Sequence, residues 1–289
     1  MNAASSSARP RLGGNRSRLV LLYAASAVIL VWSFGPIVWM ALASVVPQGD
    51  FTQGIDLGRV DRWNLDSYGS VLGDSTFLSA LLNSVIVSVG TTLLCLTICA
   101  LAGYSLARLE PQGGALLAYV LLASRMVPAI VMLIPLYLLM SRYLHLNDSY
   151  VGLILVQTAL LCPYAVWMLR SFFSEVPRSV EFAARVDGCS RLGVLRRVTL
   201  PMSAQGILAT GVFIFINTWN EFMLPLILSG SATKTVTVKL AQLSSVPGGF
   251  FQFGPVMAAA IVTILPPIVF FLVARKPLVR GVTAGGVKS

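Results

Sequence analysis

FLSALLNSVIVSVGTTLLCLTICALAGYSLA, residues 77–107, contains no Asp, Glu, Lys or Arg, and its reading decides the fold class. A helix rises about 1.5 Å per residue and a bilayer's hydrocarbon core is about 30 Å thick, so roughly 20 apolar residues suffice to cross it. Working outward, five more stretches have the same character: Leu19–Val46, Ala115–Met140, Val151–Phe173, Leu200–Ser229 and Gly254–Ala274. In lipid the backbone must satisfy its own hydrogen bonds, which helices do unaided. The expectation is an all-α membrane protein of six transmembrane helices. Pro36, Pro128, Pro135, Pro163, Pro225, Pro266 and Pro267 fall inside these stretches. Membrane helices tolerate them because neighbouring helices and waters re-satisfy the freed carbonyls.

Composition agrees. Of 289 residues, 56% are hydrophobic and 11% charged, against about 25% charged in a soluble domain. Mean hydropathy is +0.81. The net charge of +10 lies in the segments between apolar stretches, with no basic run interleaved with aromatics. That pattern fits topology and contact with lipid headgroups, not nucleic acid. With the N-terminus inside, fifteen Lys and Arg fall on cytoplasmic segments and five (Arg59, Arg62, Arg142, Lys234, Lys239) outside, Arg125 lying within a span. Positive charge accumulates on the cytoplasmic side, so both termini are expected there. The organisation expected is a flexible cytoplasmic tail (1–18), a first span (19–46), an external loop (47–76), a core (77–274) and a cytoplasmic C-terminal tail (275–289). Tyr137, Tyr143 and Tyr150 are expected at the outer interface.

One connection differs from the rest. Residues 174–199, SEVPRSVEFAARVDGCSRLGVLRRVT, are cytoplasmic in this topology and patterned as helix. Val180, Ala183, Ala184, Val186 and Cys189 are expected on one apolar face, ringed by Arg178, Glu181, Arg185, Asp187 and Arg191, with Gly188 breaking the segment into two short helices. An amphipathic helix at that surface seats in a partner's groove or lies among headgroups. Small Ala183 and Ala184 permit close approach, Gly188 a tight bend, and Pro201 marks the start of the next span.

Glu181-Phe182-Ala183-Ala184-Arg185-Val186-Asp187-Gly188, followed by Val198-Thr199-Leu200-Pro201, resembles the cytoplasmic signature of permease subunits of binding-protein-dependent ABC importers. That signature reads Glu-Ala-Ala, three residues, Gly, nine residues, Ile, one residue, Leu-Pro. Ala183, Ala184, Gly188, Leu200 and Pro201 fall on it, Val198 replaces Ile, and the Glu is Phe182 here, with Glu181 just before it. The resemblance extends from about Leu65 to the C-terminus and is nearest to the six-helix subunit of maltose-type carbohydrate permeases. It rests further on Ala102–Arg108, Met126-Val127-Pro128, Ile134-Pro135-Leu136, Trp219-Asn220-Glu221-Phe222 and the ending Gly281–Lys288.

The resemblance implies the type I ABC importer permease fold, a multi-pass place in the inner (plasma) membrane of a bacterial-type cell, and ATP-driven uptake of a sugar or sugar-like solute. It also implies partners: a second permease subunit, an ABC ATPase dimer that binds Mg-ATP, an extracytoplasmic solute-binding protein and membrane lipid. Coupling to the ATPase would pass through Glu181, Phe182, Ala183, Ala184, Asp187, Gly188, Leu200 and Pro201, and a C-terminal contact through Gly281, Gly285 and Lys288. No cofactor is expected in this chain.

Polar residues within the spans are candidates for the solute pathway. Arg125 is expected about 15 Å into the third span, either lining the pathway or bonding carbonyls freed by Pro128. Asn217, Trp219 and Asn220 suit a sugar, by stacking and hydroxyl bonding, or else an interfacial belt with interhelical hydrogen bonds. Glu221, the acid within a span, is expected about 30 Å along a straight fifth helix, too far from Arg125 to pair.

The sequence carries no phosphate-cradling Gly-x-x-x-x-Gly-Lys-Ser/Thr loop, nucleophile elbow or His-Glu-x-x-His pair, so the chain is not expected to be an enzyme. Cys95, Cys99, Cys162 and Cys189 form no disulfide framework, and with His145 as sole histidine no metal site is expected. The alternative is an ion-coupled secondary transporter, for which repeated halves and buried acids would be looked for.

Overall fold

The computed structural model describes residues 15–47, 63–244 and 252–285, with side chains from Arg18 to Ala274 except Ala129. The tail of residues 1–14, residues 48–62 of the first external loop and Lys288 lie outside the described residues. Described elements are helical, with no strand among them. The chain divides into two compact units: Met1–Tyr68 with Gln252–Ile261, and Gly69–Phe251 with Val262–Ser289.

In the first unit, α1 (Asn15–Val45) exposes most of its apolar side chains, as a lipid-facing helix must. Its packed part is the C-terminal end, where Ala43, Ser44 and Val46 are buried. There Asn64 N–H donates to the Val45 carbonyl at 3.0 Å, and the Ser44 and Tyr68 hydroxyls lie 2.8 Å apart. Helix α2 (Asp66–Gly73) follows.

The second unit is built on two long helices, α3 (Ser75–Tyr104) and α6 (Tyr150–Glu175). Asp74 caps α3 by accepting from Thr76 N–H at 2.8 Å, and Ser149 caps α6 through Gly152 N–H at 3.1 Å. Beyond Tyr104, α3 continues into a π-helical turn, Ser105–Leu109. Close approach of α3 to α6 requires glycine: a Cβ on Gly103 would stand 3.1 Å from Arg170 N and 3.2 Å from Leu169 Cβ. Cys95, Cys99, Leu161, Ala165, Leu169, Phe173 and Ile214 form the core between α3, α6 and α10 (Ala204–Trp219).

Among the described residues, four uninterrupted helical stretches are long and apolar enough to cross a membrane: Arg18–Val45, Ser75–Leu109, Tyr150–Glu175 and Phe253–Ala274. The last lies within α13 (Phe253–Gly285), which runs past the expected end of the core into the segment expected as a tail.

The third and fifth expected spans are not straight. Gly114–Met126, which holds α4 (Gly114–Ala123), turns by 100° into Ile130–Tyr143, which holds most of α5 (Ala129–Leu138). Proline lacks an N–H and drives its predecessor from helical backbone, and Val127, before Pro128, is extended at φ −72°, ψ 121°. In the fifth, Arg191–Met202 turns by 80° into Ala204–Trp219. That segment holds α8 (Arg191–Val194), a π-helical turn at Leu195–Thr199 and α9 (Leu200–Met202). The chain breaks again at Asn220–Phe222, before α11 (Met223–Leu228) and α12 (Val236–Leu243). A straight ruler therefore misplaces Glu221: it stands at a break, not 30 Å along one helix.

Candidate functional site

The segment expected to be distinctive folds as α7 (Arg178–Val186), a turn, and α8. Gly188 makes the turn at φ +88°, a left-handed conformation that other L-residues adopt at a cost. Gly188 N–H donates to the Arg185 carbonyl at 3.1 Å and Cys189 N–H to the Ala184 carbonyl at 3.0 Å. This paired arrangement closes a helix C-terminus on glycine. Ser190 then caps α8, accepting from Gly193 N–H at 3.2 Å.

The face of α7 turned to the bundle is not the apolar one. Glu181 is buried, while Val180, Phe182 and Val186 are 41%, 58% and 87% exposed. Ala183 and Asp187 are exposed as well, and Ala184 half-buried. The expected ring position of Glu181 is thus corrected: charge pairing turns it inward. Arg108 Nε donates to Glu181 Oε1 at 2.9 Å, with the two side chains 7% and 10% exposed. Thr199 Oγ1 donates to the same oxygen at 2.9 Å. Arg108 Nη2 also donates to the carbonyls of Phe173 and Val176, at 2.6 and 2.5 Å, where α6 ends. A cation suits those carbonyls, the negative end of the α6 dipole.

Glu181 therefore joins α7 to the end of α3, the end of α6 and the approach to α9. Losing one partner of a buried ion pair costs about 3–5 kcal/mol, because the other charge stays buried and uncompensated. Around the pair lies a cavity of about 180 Å³, lined among others by Tyr104, Arg108, Glu181, Phe182 and Arg191. At its rim Arg178 pairs with Glu110. Half-buried Leu200 and exposed Pro201 sit in α9, leading into the 80° bend.

The pathway candidates lie elsewhere in the same unit. Arg125 stands 4.6 Å over the ring of Tyr164 on α6. That ring meets Phe213 edge-on at 5.8 Å, and Asn217 Nδ2 donates to the Phe213 carbonyl at 2.8 Å. Arg125 is thus linked through the Tyr164 ring to the Phe213 ring, while Asn217 bonds back to the backbone of its own helix. Trp219 is 3% exposed and stacked on Phe215 at 5.9 Å, so its ring belongs to the core. Asn220 is exposed at the helix end. Glu221 Oε1 accepts from Met223 N–H at 3.0 Å and Leu224 N–H at 3.3 Å, starting α11.

Two polar residues outside the expected sites organise the opposite end of α3 and α6. The Asp148 carboxylate accepts from Gly230 N–H (2.7 Å), Ala232 N–H (3.2 Å), Thr233 N–H (3.0 Å) and Thr233 Oγ1 (2.7 Å). Partial burial raises its pKa, but these bonds outweigh it and hold the carboxyl below its ordinary value. Asn83 Nδ2 donates to the Ala232 and Lys234 carbonyls at 3.1 and 3.0 Å and its Oδ1 accepts from Tyr150 Oη at 2.7 Å, which turns that tyrosine inward. The available signals were an amide within an apolar stretch and the Asn147-Asp148-Ser149 turn. Gly281 and Gly285 lie within α13.

The family model of binding-protein-dependent transport system inner membrane components matches residues 98–283. The sulfoquinovosyl glycerol transport system permease protein SmoH of Agrobacterium fabrum is 34% identical over 282 residues, 96% of this chain and 97% of its own. The trehalose transport system permease protein SugB of Mycobacterium tuberculosis is 32% identical, over 90% of this chain and 94% of its own. Among solved structures, a bacterial ABC transporter involved in import of the acidic polysaccharide alginate superposes with a TM-score of 0.79 at 20% identity, over 94% of this chain and 99% of that one.

Proposed function

The chain belongs to the family of binding-protein-dependent transport system inner membrane components, and from that premise we propose that it is one of two membrane-spanning subunits of an ATP-driven importer for a carbohydrate. It is a multi-pass inner-membrane protein, and its family is one of transport components, not enzymes. In this reading the four straight and two bent stretches make six spans, with both termini and α7 in the cytoplasm. A second permease completes the pathway, an extracytoplasmic binding protein delivers the solute, and an ATPase dimer binds Mg-ATP. The sugar assignment draws on the substrates for which SmoH and SugB are named.

The observation that carries the reading is the division of labour on α7. Glu181 fastens the helix to three spans while Phe182, Val180 and Val186 face outward. We assign those side chains, with Ala183, Ala184 and Asp187, to a groove of the ATPase. Closing the ATPase pair would displace α7, and the Glu181–Arg108 strut would pass the displacement to α3 and α6. Gly188 sets the elbow, Leu200 and Pro201 lead the motion into the next span, and the end of α13, with Gly281, Gly285 and Lys288, makes a second ATPase contact. Arg125, Asn217, Asn220 and Glu221 are assigned to the pathway's polar lining, Trp219 supporting them from the core.

Uptake by the complete complex in vesicles tests this. Fully burying a side chain such as Phe contributes about 1.5–3 kcal/mol, and about 1.4 kcal/mol is tenfold in an equilibrium constant. Phe182→Asp with Val186→Asp should therefore lower ATPase association at least about tenfold and uptake with it. Uptake driven by an ion gradient without the ATPase would overturn the proposal.

A further inference from the structure

Three of the four cysteines meet inside the bundle. Cys95 and Cys99 lie one turn apart on α3, and Cys162 approaches from α6. The Cys95 and Cys99 sulfurs are 3.7 Å apart, those of Cys99 and Cys162 3.2 Å, and all three lie within 4.8 Å of one another. The thiols are unbridged. At a metal–sulfur distance of about 2.3 Å, three sulfurs arranged in a plane around one ion would stand about 4 Å apart, close to the 3.7 Å of the Cys95–Cys99 pair. We propose that Cys95, Cys99 and Cys162 form a binding site for one copper(I) ion, tying α3 to α6.

The surroundings select the ion. Leu161, Ala165 and Ile214 belong to the same buried cluster, and Leu96 and Ala100 pack against it. The ligating group comprises sulfur alone, with no histidine or carboxylate in it. Hard cations need oxygen and keep water. Zinc completes a tetrahedron with a fourth ligand, whereas soft copper(I) is matched to thiolate and thiol sulfur. A net charge in this apolar interior is costly. The neutral product forms when one thiol exchanges its proton for the ion: one S–H bond breaks, one copper–thiolate bond and two dative copper–thiol bonds form, and one proton leaves to water. No electron moves.

That balance makes a quantitative signature. One proton released per ion means affinity rises tenfold per pH unit while all three thiols are protonated, where a site losing three protons would gain a thousandfold. The test uses the full chain in lipid nanodiscs, reduced and oxygen-free, titrated with copper(I) against a chromophoric copper(I) chelator. The expected result is one ion per chain and the tenfold pH slope. Cys99→Ser and Cys162→Ser should each lower affinity at least a hundredfold, with Cys189→Ser without effect. Unchanged affinity in the Cys99→Ser, Cys162→Ser double variant, or no copper retained by the parent chain, overturns the site. Should a variant fail to insert, X-ray absorption on the copper-loaded parent decides. A shell of three sulfurs supports the site; nitrogen or oxygen in the shell rejects it.

Discussion

Arg108 and Glu181 hold a buried contact of 2.9 Å between the end of α3 and the middle of α7, so the exposed helix is anchored by charge. An apolar anchor there would compete with the apolar side chains that a partner needs. Charge pairing separates the two tasks: one face bonds inward and the other stays open.

Glu181→Gln should retain a hydrogen-bond acceptor while leaving Arg108 buried and unpaired, at about 3–5 kcal/mol. Transport should fall by more than an order of magnitude, with the chain still in the membrane but more readily cleaved by protease within residues 174–199. Thr199→Val removes one donor to a charged acceptor, worth about 1.5–3 kcal/mol, and should produce a milder loss. Equal losses in the two variants would show that Arg108 is not the main anchor.

Gly188 is surrounded by open space, since a Cβ there meets nothing within 4 Å. The penalty for replacing it comes from backbone angle alone. Gly188→Ala should lower stability of the loop by about 1–2 kcal/mol. Gly188→Asn should cost less, because asparagine tolerates the left-handed region. Hydrogen exchange across residues 178–194 would read the order; a valine tolerated as well as asparagine would contradict it.

Asp74 caps α3, and its carboxyl is held down to about 2, first by the Thr76 side-chain bond and further by Lys239. Asp148 is lowered too. For a depressed carboxyl, the stabilisation is complete above the ordinary value and is lost as pH falls through the folded one. The melting temperature should therefore hold at neutral pH and decline as pH drops from about 4 toward 2, the ordinary aspartate value being about 3.9. Asp74→Ala should remove about 1 kcal/mol of capping at neutral pH and flatten that acid limb. A variant with an undiminished acid slope would exclude Asp74 as a source.

Arg125 over Tyr164 is a cation–π contact, worth about 0.5–2 kcal/mol depending on desolvation. Tyr164→Phe keeps the ring and should leave uptake nearly unchanged. Tyr164→Leu removes the platform and should weaken apparent solute affinity severalfold with little change in maximal rate. A change in maximal rate alone would place Arg125 in coupling and not along the pathway.

Runs of uncharged residues made α1, α3, α6 and α13 legible to within a few residues, except that α13 continues further. The elbow at Gly188 was legible from its glycine between two amphipathic segments. The 100° corner was not, because Pro128 and Pro135 look alike in sequence and only one breaks the helix. The inward turn of Glu181 was hidden for a different reason. Periodicity ranks faces by polarity, and it assigns a charged side chain outward unless its partner is known. Arg108, 73 positions away, is that partner. The carboxylate of Asp148 was missed likewise, its donors lying 82 to 85 positions downstream.

Both partners of Glu181 stand in π-helical turns, Arg108 in Ser105–Leu109 and Thr199 in Leu195–Thr199. Such a turn accommodates one residue beyond the regular repeat, and each residue advances an α-helix by about 100° around its axis. Inserting one further residue before Arg108 would exceed what the turn absorbs and swing the guanidinium about a quarter-turn away from the carboxylate, without altering any side chain at the contact. The phase of the backbone, as much as the charges themselves, decides whether the strut closes.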